Sequence, residues 1–288
     1  SLTGTEITTK GIQYIAEKLK YSRLTHLDFS GSSEIDATGI QALADNLEHS
    51  SVTSLKLSEV PMGNQGAKAI AEKMQYSKLT NLDLSLCGIS KEGAQAIADN
   101  LEHSCLNSLI LYGNEEIIED EGAIGNDGAI AIAEKLKSSK LTYLDLSSCD
   151  IFDEGIKALA QELSQSSLTH LDLSFNPIGG DVEDDAPITL LANALGNCKL
   201  DTLKLRETEI GDNAARSIAD NLEASKLVNL DLSRNGIGDQ GIIALASKLP
   251  QSKLTRLNLK HNPIEIQGQL AIVDVLRQSN SLIVKQGN

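Results

Sequence analysis

The chain has 288 residues, with 25 Lys and Arg against 40 Asp and Glu, for a formal net charge of −15. That balance argues against a nucleic-acid backbone or an anionic membrane as the default partner. Aromatics make up only 3% and Trp is absent while 41% of residues are hydrophobic, so a core must be built from Leu, Ile and Ala.

Taken in order, the chain opens in the middle of a repeat. Leu2 holds a last strand position, and Ile7 and Gly11 begin a helix that ends near residue 20. From Leu24 onward the string L-T-x-L-D-L-S recurs, and self-similarity at a fixed period is the signature of a repeat architecture. Its first apolar positions are Leu24, Val52, Leu79, Leu106, Leu141, Leu168, Leu200, Leu227 and Leu254, with a degenerate tenth at Leu282. Leu at offsets 0, 3 and 5, as in Leu79, Leu82 and Leu84, predicts a short strand with its apolar side chains on one face. Behind each strand comes G-(A/I)-x-x-(I/L)-A-x-x-L, which predicts helices over Gly39–Leu47, Gly66–Met74, Gly93–Leu101, Gly128–Leu136, Gly155–Leu163 and Gly241–Leu249, each with one apolar stripe. Two intervals are long, at 35 and 32 residues against 27 or 28 elsewhere. Their extra length is acidic: Glu115, Glu116, Glu119, Asp120 and Glu121 after Asn114, then Asp181, Glu183, Asp184 and Asp185 after Asn176. Leu282, Ile283 and Val284 predict a final irregular strand followed by Lys285.

One strand and one helix per turn, with every strand running the same way, predict an α/β solenoid. Strands stack about 4.8 Å apart whereas helix axes need roughly 8 to 10 Å, so the array bends into a horseshoe with a parallel sheet on the concave face and helices on the convex face. The expected organisation is one domain over 1–288: a half-repeat at 2–20, nine strand–helix repeats from 24, and a terminal strand near 282–284.

This period, with L-x-x-L-x-L-x-x-(N/C) inside it, resembles the leucine-rich repeats of the ribonuclease-inhibitor type. The Asn/Cys position is held by Cys87, Asn114, Cys149, Asn176, Asn235 and Asn262, and Val60 and Thr208 depart from it. The resemblance implies that this side chain is buried and bonds the loop backbone as a structural ladder. The plain consensus looks most like the repeat effectors of intracellular bacteria, Legionella-like proteins among them. Such relatives imply an inhibitory or adaptor role, with an enzyme or a fellow effector as partner.

Catalytic chemistry finds little support in the sequence. Gly236, Gly238 and Gly241 spell G-x-G-x-x-G between a strand and a helix. However, Gly241 is the helix-start glycine of the repeat, Ile237 fills a shared apolar column, and the acidic ribose partner is missing. The five His show no i, i+4 pairing and no nucleophile elbow occurs. The 181–186 segment lacks the sixth-place glycine of a calcium loop, so both acidic insertions read first as solvated loops. No cofactor and no metal are expected. Cys87, Cys105, Cys149 and Cys198 contain no CxxC pair and no glycosylation acceptor occurs, which favours a reducing, cytoplasmic setting; the resemblance to bacterial effectors implies delivery into a host cytosol. No apolar run approaches the ~18 residues that cross a bilayer and no charged-then-apolar leader opens the chain, so membrane insertion is not expected. Cys87 and Cys149, two turns apart, stand roughly 10 Å from each other on this register, beyond disulfide reach. Cys105 and Cys198 fall just before strands and are expected to be half-buried.

The informative positions lie on the strand face pointing away from the core, at offsets 2, 4 and 6. The offset-4 column is mostly Asp, and its exceptions stand out. Ile110 and Tyr112, with Tyr143, Phe175 and the neighbouring Leu86, form an expected hydrophobic group on consecutive turns. Toward the C-terminus the same face turns basic, with Lys204, Arg206, Arg234, Arg256 and Lys260. Surface groups of this kind mark interfaces, and the basic stripe reads either as an anchor for an acidic patch or as local neutralisation of Asp172, Glu207 and Asp231. The expected function is non-catalytic protein binding through the concave face by a monomer. A GTPase activator of this repeat type and the sensing module of a larger receptor are the alternatives.

Overall fold

The computed structural model describes residues 7–114, 122–179, 186–278 and 282–286. Both acidic insertions, 115–121 and 181–185, lie outside the described residues. The chain forms two compact units, Ser1–Asp150 and Ile151–Asn288.

In the first unit the strands are β1 (His26–Asp28), β2 (Ser54–Lys56), β3 (Asn81–Asp83), β4 (Ser108–Ile110) and β5 (Tyr143–Asp145). They pair in sequence order, all parallel, and Leu27, Leu55, Leu82, Leu109 and Leu144 stand in one row. Between them run helices α1 (Thr9–Lys18), α2 (Ala37–Asp45), α3 (Gly63–Met74), α4 (Lys91–Leu101) and α5 (Gly125–Leu136), each packed on the next. The second unit repeats the plan with α6 (Asp153–Glu162), α7 (Ala186–Leu195), α8 (Asp212–Asn221), α9 (Asp239–Lys248) and α10 (Ile266–Gln278). Its strands are β6 (His170–Asp172), β7 (Thr202–Lys204), β8 (Asn229–Asp231), β9 (Arg256–Asn258) and β10 (Ile283–Lys285). These too are parallel and in sequence order. The α/β repeat fold expected from the leucine spacing is therefore present, and Ile283–Lys285 does pair with β9.

Burial follows the repeat. Offsets 3 and 5 of each strand meet the apolar helix stripe, so that Leu82, Leu84, Ile97 and Leu101 are each 1% exposed or less. The first position is buried from Val52 to Leu254 but not in the first turn, where Leu24 is 50% exposed; among the described residues β1 has a paired neighbour on one side only. The ladder is hydrogen-bonded as the resemblance implied. Asn114 Oδ1 accepts the N–H groups of Cys87 and Ile89, and its Nδ2 donates to the carbonyls of Leu84 and Leu111. Asn235 makes the same set one unit on, to Thr208, Ile210, Leu205 and Leu232. Thr208, read as a departure, keeps half of the role because its hydroxyl donates to the Leu205 carbonyl at 2.9 Å.

The cysteines separate by exposure. Cys87, Cys149 and Cys198 are buried, no disulfide joins any two of the four, and Cys105, expected to be half-buried, is exposed. Ser104, one residue earlier, fills the turn and caps the Leu101 carbonyl, which leaves the next side chain facing water. Burial pushes the Cys87 thiol up to about 12 from an ordinary 9.0, and burial raises Cys198 as well. Because the unfolded thiol ionises first, the Cys87 contribution to stability is complete below pH 9.0 and is lost as pH climbs toward about 12. A chromogenic disulfide at pH 8 should therefore count one fast thiol, Cys105, in the folded chain and four after unfolding. Two or more fast thiols would contradict the packing of the ladder column.

Candidate protein-binding surface

Two local devices decide which strand-face side chains are structural. The first is the Asp–Ser pair. Asp83 Oδ1 accepts from both the N–H and the hydroxyl of Ser85, and Asp145 and Asp231 do the same with Ser147 and Ser233. Asp28 and Asp172 accept the corresponding backbone N–H of Ser30 and Ser174. The recurrent Asp of L-D-L-S is thus a turn-closing acceptor, as Asp side chains are in Asx-type turns. Four turns lack it, at Lys56, Ile110, Lys204 and Asn258, and three of these have also lost the Ser, giving Ile110 with Tyr112, Lys204 with Arg206 and Asn258 with Lys260.

The second device is a left-handed residue at offset 7 of every repeat. Gly31, Glu59, Leu86, Gly113, Ser148, Phe175, Glu207, Arg234 and His261 all have φ between +51° and +75°. For a residue with a Cβ that conformation costs roughly 1–2 kcal/mol. It is held because the N–H donates to the next turn's offset-6 carbonyl, as from Leu86 to Tyr112 and from Phe175 to Arg206, both at 2.8 Å. Strand alternation alone would send an odd offset inward; the left-handed turn redirects Leu86, Phe175 and Arg234 outward.

In the first unit the structure places Leu86, Ile110, Tyr112 and Tyr143 on β3 to β5 and the turns that follow. Tyr112 is 39% exposed, and the other three are half-buried. Ile110 stands in register between Asp83 and Asp145, and Tyr143 beside Ser108. Leu86 lies against the backbone of the next turn, so close that a Cβ on Gly113 would come within 2.4 Å of its Cδ2. Glycine at 113 suits its φ of +71° and leaves room for the Leu86 side chain.

Phe175 belongs to the second unit. It is 40% exposed, with the Arg206 guanidinium 5.2 Å from its ring centroid, a cation–π geometry. Arg206 Nε is buried without a hydrogen-bond partner. Lys204 reaches Asp172 at 2.9 Å, and Asp172 is only 11% exposed in its side chain, so this lysine serves at least in part as the local neutraliser anticipated above. Arg234 lies 3.8 Å from Glu207, with both side chains about half exposed, where a pair contributes little. Arg256 Nη1 approaches Asn229 Oδ1 at 3.4 Å, and Lys260 is exposed. Sequence reasoning left Lys285 off the basic set. It stands in register with Asn258 on β10, and the missing signal was the register of a strand that has lost its consensus.

The G-x-G-x-x-G segment is filled from within. Asp212 Oδ1 accepts the N–H groups of Gly238 and Gly241 at 2.7 and 2.9 Å, placing a carboxylate where a dinucleotide phosphate would have to sit. Asn64 does the same for Ser90 and Gly93, so this is a repeat-to-repeat cap. Among the described residues no group of three or more His, Cys, Asp or Glu is disposed to hold a metal ion, and no helix is long and apolar enough to cross a membrane.

A family profile described as Leucine Rich repeat matches residues 23–44, 77–98, 137–160, 164–181, 196–219 and 224–246. No curated protein matches the chain in sequence. Among solved structures, a chain of the Rad7 and Elc1 complex of yeast is similar at a TM-score of 0.57 and 16% identity, over 96% of this chain and 72% of that one. Leiomodin-1 actin-binding site 2 is matched at a TM-score of 0.39 and 20% identity, over 47% of this chain and 78% of that one. Leucine-rich repeats generally mediate protein–protein interaction and are typically non-catalytic. With six matched segments and parallel strands alternating with helices in each unit, the chain carries leucine-rich repeats.

Proposed function

We propose that the chain is a non-catalytic scaffold that holds another protein against its strand face, through Leu86, Ile110, Tyr112 and Tyr143 in the first unit and Phe175, Lys204, Arg206, Arg234, Arg256 and Lys260 in the second. The observation that supports this reading most is the joint loss of Asp and Ser. The turns at Ile110 with Tyr112 and at Lys204 with Arg206 forfeit hydrogen bonds made in five other turns, and what they gain is an apolar, aromatic or basic side chain facing outward. Such side chains contribute nothing to turn closure and are the residue types that anchor interfaces. A hydrogen-bonded sheet is preformed, so little ordering cost opposes binding.

The finer reading follows from the resemblance in consensus: the partner is an enzyme or a fellow effector, its cleft is covered, and the chain works in a cytoplasm, a host cell's included. Capture of the partner from native lysate, followed by its turnover with and without this chain, tests it. Inhibition that saturates at equal amounts is the expected result. Undiminished turnover would sink the inhibitor reading, and accelerated single-turnover GTP hydrolysis would replace it with the activator alternative.

A further inference from the structure

The strand face of the second unit carries a concavity of about 250 Å³ over β7 to β10. Two registers define it. Lys204, Asp231, Asn258 and Lys285 form one row across the four strands, and Asn229 and Arg256 belong to the other. Cations thus stand at both ends of the first row and at the centre of the concavity, in a chain whose net charge is −15. The one acid in the row is engaged: Asp231 Oδ1 takes the N–H and hydroxyl of Ser233, and its Oδ2 accepts from Asn258 Nδ2 at 2.9 Å. Lys204 is shared with Asp172. Arg256 and Lys285 make no ion pair among the described residues.

Three strand spacings separate Lys204 from Lys285, about 14 Å. An extended chain advances about 6.8 Å for every two residues, so carboxylates two and four positions apart match the row's length. We propose that this concavity receives an extended acidic segment of the protein partner, with Asp or Glu at two or more places within five residues. The assignment rests on the scaffold reading above and adds the chemistry of what is bound. A compact anion cannot span the three strand spacings between Lys204 and Lys285, whereas an extended segment reaches both ends of the row.

The probe is a fluorescein-labelled octa-aspartate, followed by anisotropy with the full chain at low salt, beside a Gly-Ser octapeptide and an octathymidylate. The acidic peptide should bind at least tenfold tighter than the neutral one. Arg256→Gln with Lys285→Gln should weaken it tenfold or more at an unchanged melting temperature. Arg256→Lys should retain binding, and Lys56→Gln, on the same face of the first unit, should leave it within twofold. Equal affinity for the acidic and neutral peptides overturns the assignment, as does a double variant within twofold of the parent. Tighter binding of the octathymidylate would make the concavity a nucleic-acid site instead. If partner capture persists through the first unit while octa-aspartate fails to bind, only the acidic-segment assignment falls. If both fail, the scaffold reading falls with it.

Discussion

Replacing Asn114 by Leu should lower the unfolding free energy by about 4 kcal/mol, since four buried backbone groups lose their partners at roughly 1 to 3 kcal/mol each and relaxation recovers part of that. The side chain is 1% exposed, and its four hydrogen bonds lie between 2.9 and 3.1 Å. Three of them reach the preceding turn, at Leu84, Cys87 and Ile89, so the loss removes a tie between repeats as well as one within a loop. In a solenoid, where stability is close to a sum of neighbour terms, that tie carries cooperativity. Leucine keeps the branching of asparagine and is larger, which keeps a cavity from explaining the effect. Cys87→Ala should cost less, because the sulfur's contacts to the Leu57 and Ser85 carbonyls are weak. Urea denaturation of the two variants measures the difference. A loss under about 1 kcal/mol for Asn114→Leu would mean that the backbone closes these loops by itself.

The leucine spacing made the strands and helices legible because burial alone selects those positions: an apolar side chain at offsets 3 and 5 has nowhere else to go. The ladder was legible only through the resemblance in consensus, and the structure supplies its reason: a buried Asn must satisfy both ends of its amide. What stayed hidden were side-chain and backbone hydrogen bonds that the consensus letters do not announce. Nothing in L-D-L-S tells a solvated Asp from one that closes the turn onto Ser, and so the joint loss at Ile110 and Tyr112, or Lys204 and Arg206, had no visible meaning. The left-handed column was hidden more thoroughly, since only Gly31 and Gly113 of its nine members advertise it. Leu86, Phe175 and Arg234 were singled out by chemistry, without the reason they face outward. Phe175 was grouped with the tyrosines by its order along the chain; its contact in the second unit is Arg206. Cys105 was misplaced because a serine had already taken the inward position. The readings of 115–121 and 181–185 concern residues outside those described.

The double change Ile110→Asn with Tyr112→Ser returns one freed turn of the first unit to ordinary turn chemistry. Asn258 supplies the precedent, its Oδ1 accepting the Lys260 N–H at 3.3 Å, so asparagine at 110 restores the turn-closing acceptor without adding charge between Asp83 and Asp145. Stability should hold or rise, because an exposed aromatic and a half-buried aliphatic are exchanged for the hydrogen-bonded pair of the ordinary repeat. Binding should suffer most, since two adjacent anchors leave the first unit's face together; anchors of this kind contribute about 2 kcal/mol each, roughly thirtyfold in affinity. The decisive measurement is partner affinity by titration calorimetry for the parent and this double variant, with thermal unfolding run on the same samples. A hundredfold or greater loss of affinity at an unchanged or higher melting temperature is the predicted result. Affinity within threefold of the parent at the same melting temperature would contradict the claim that turns freed from Asp–Ser pairing form the binding surface.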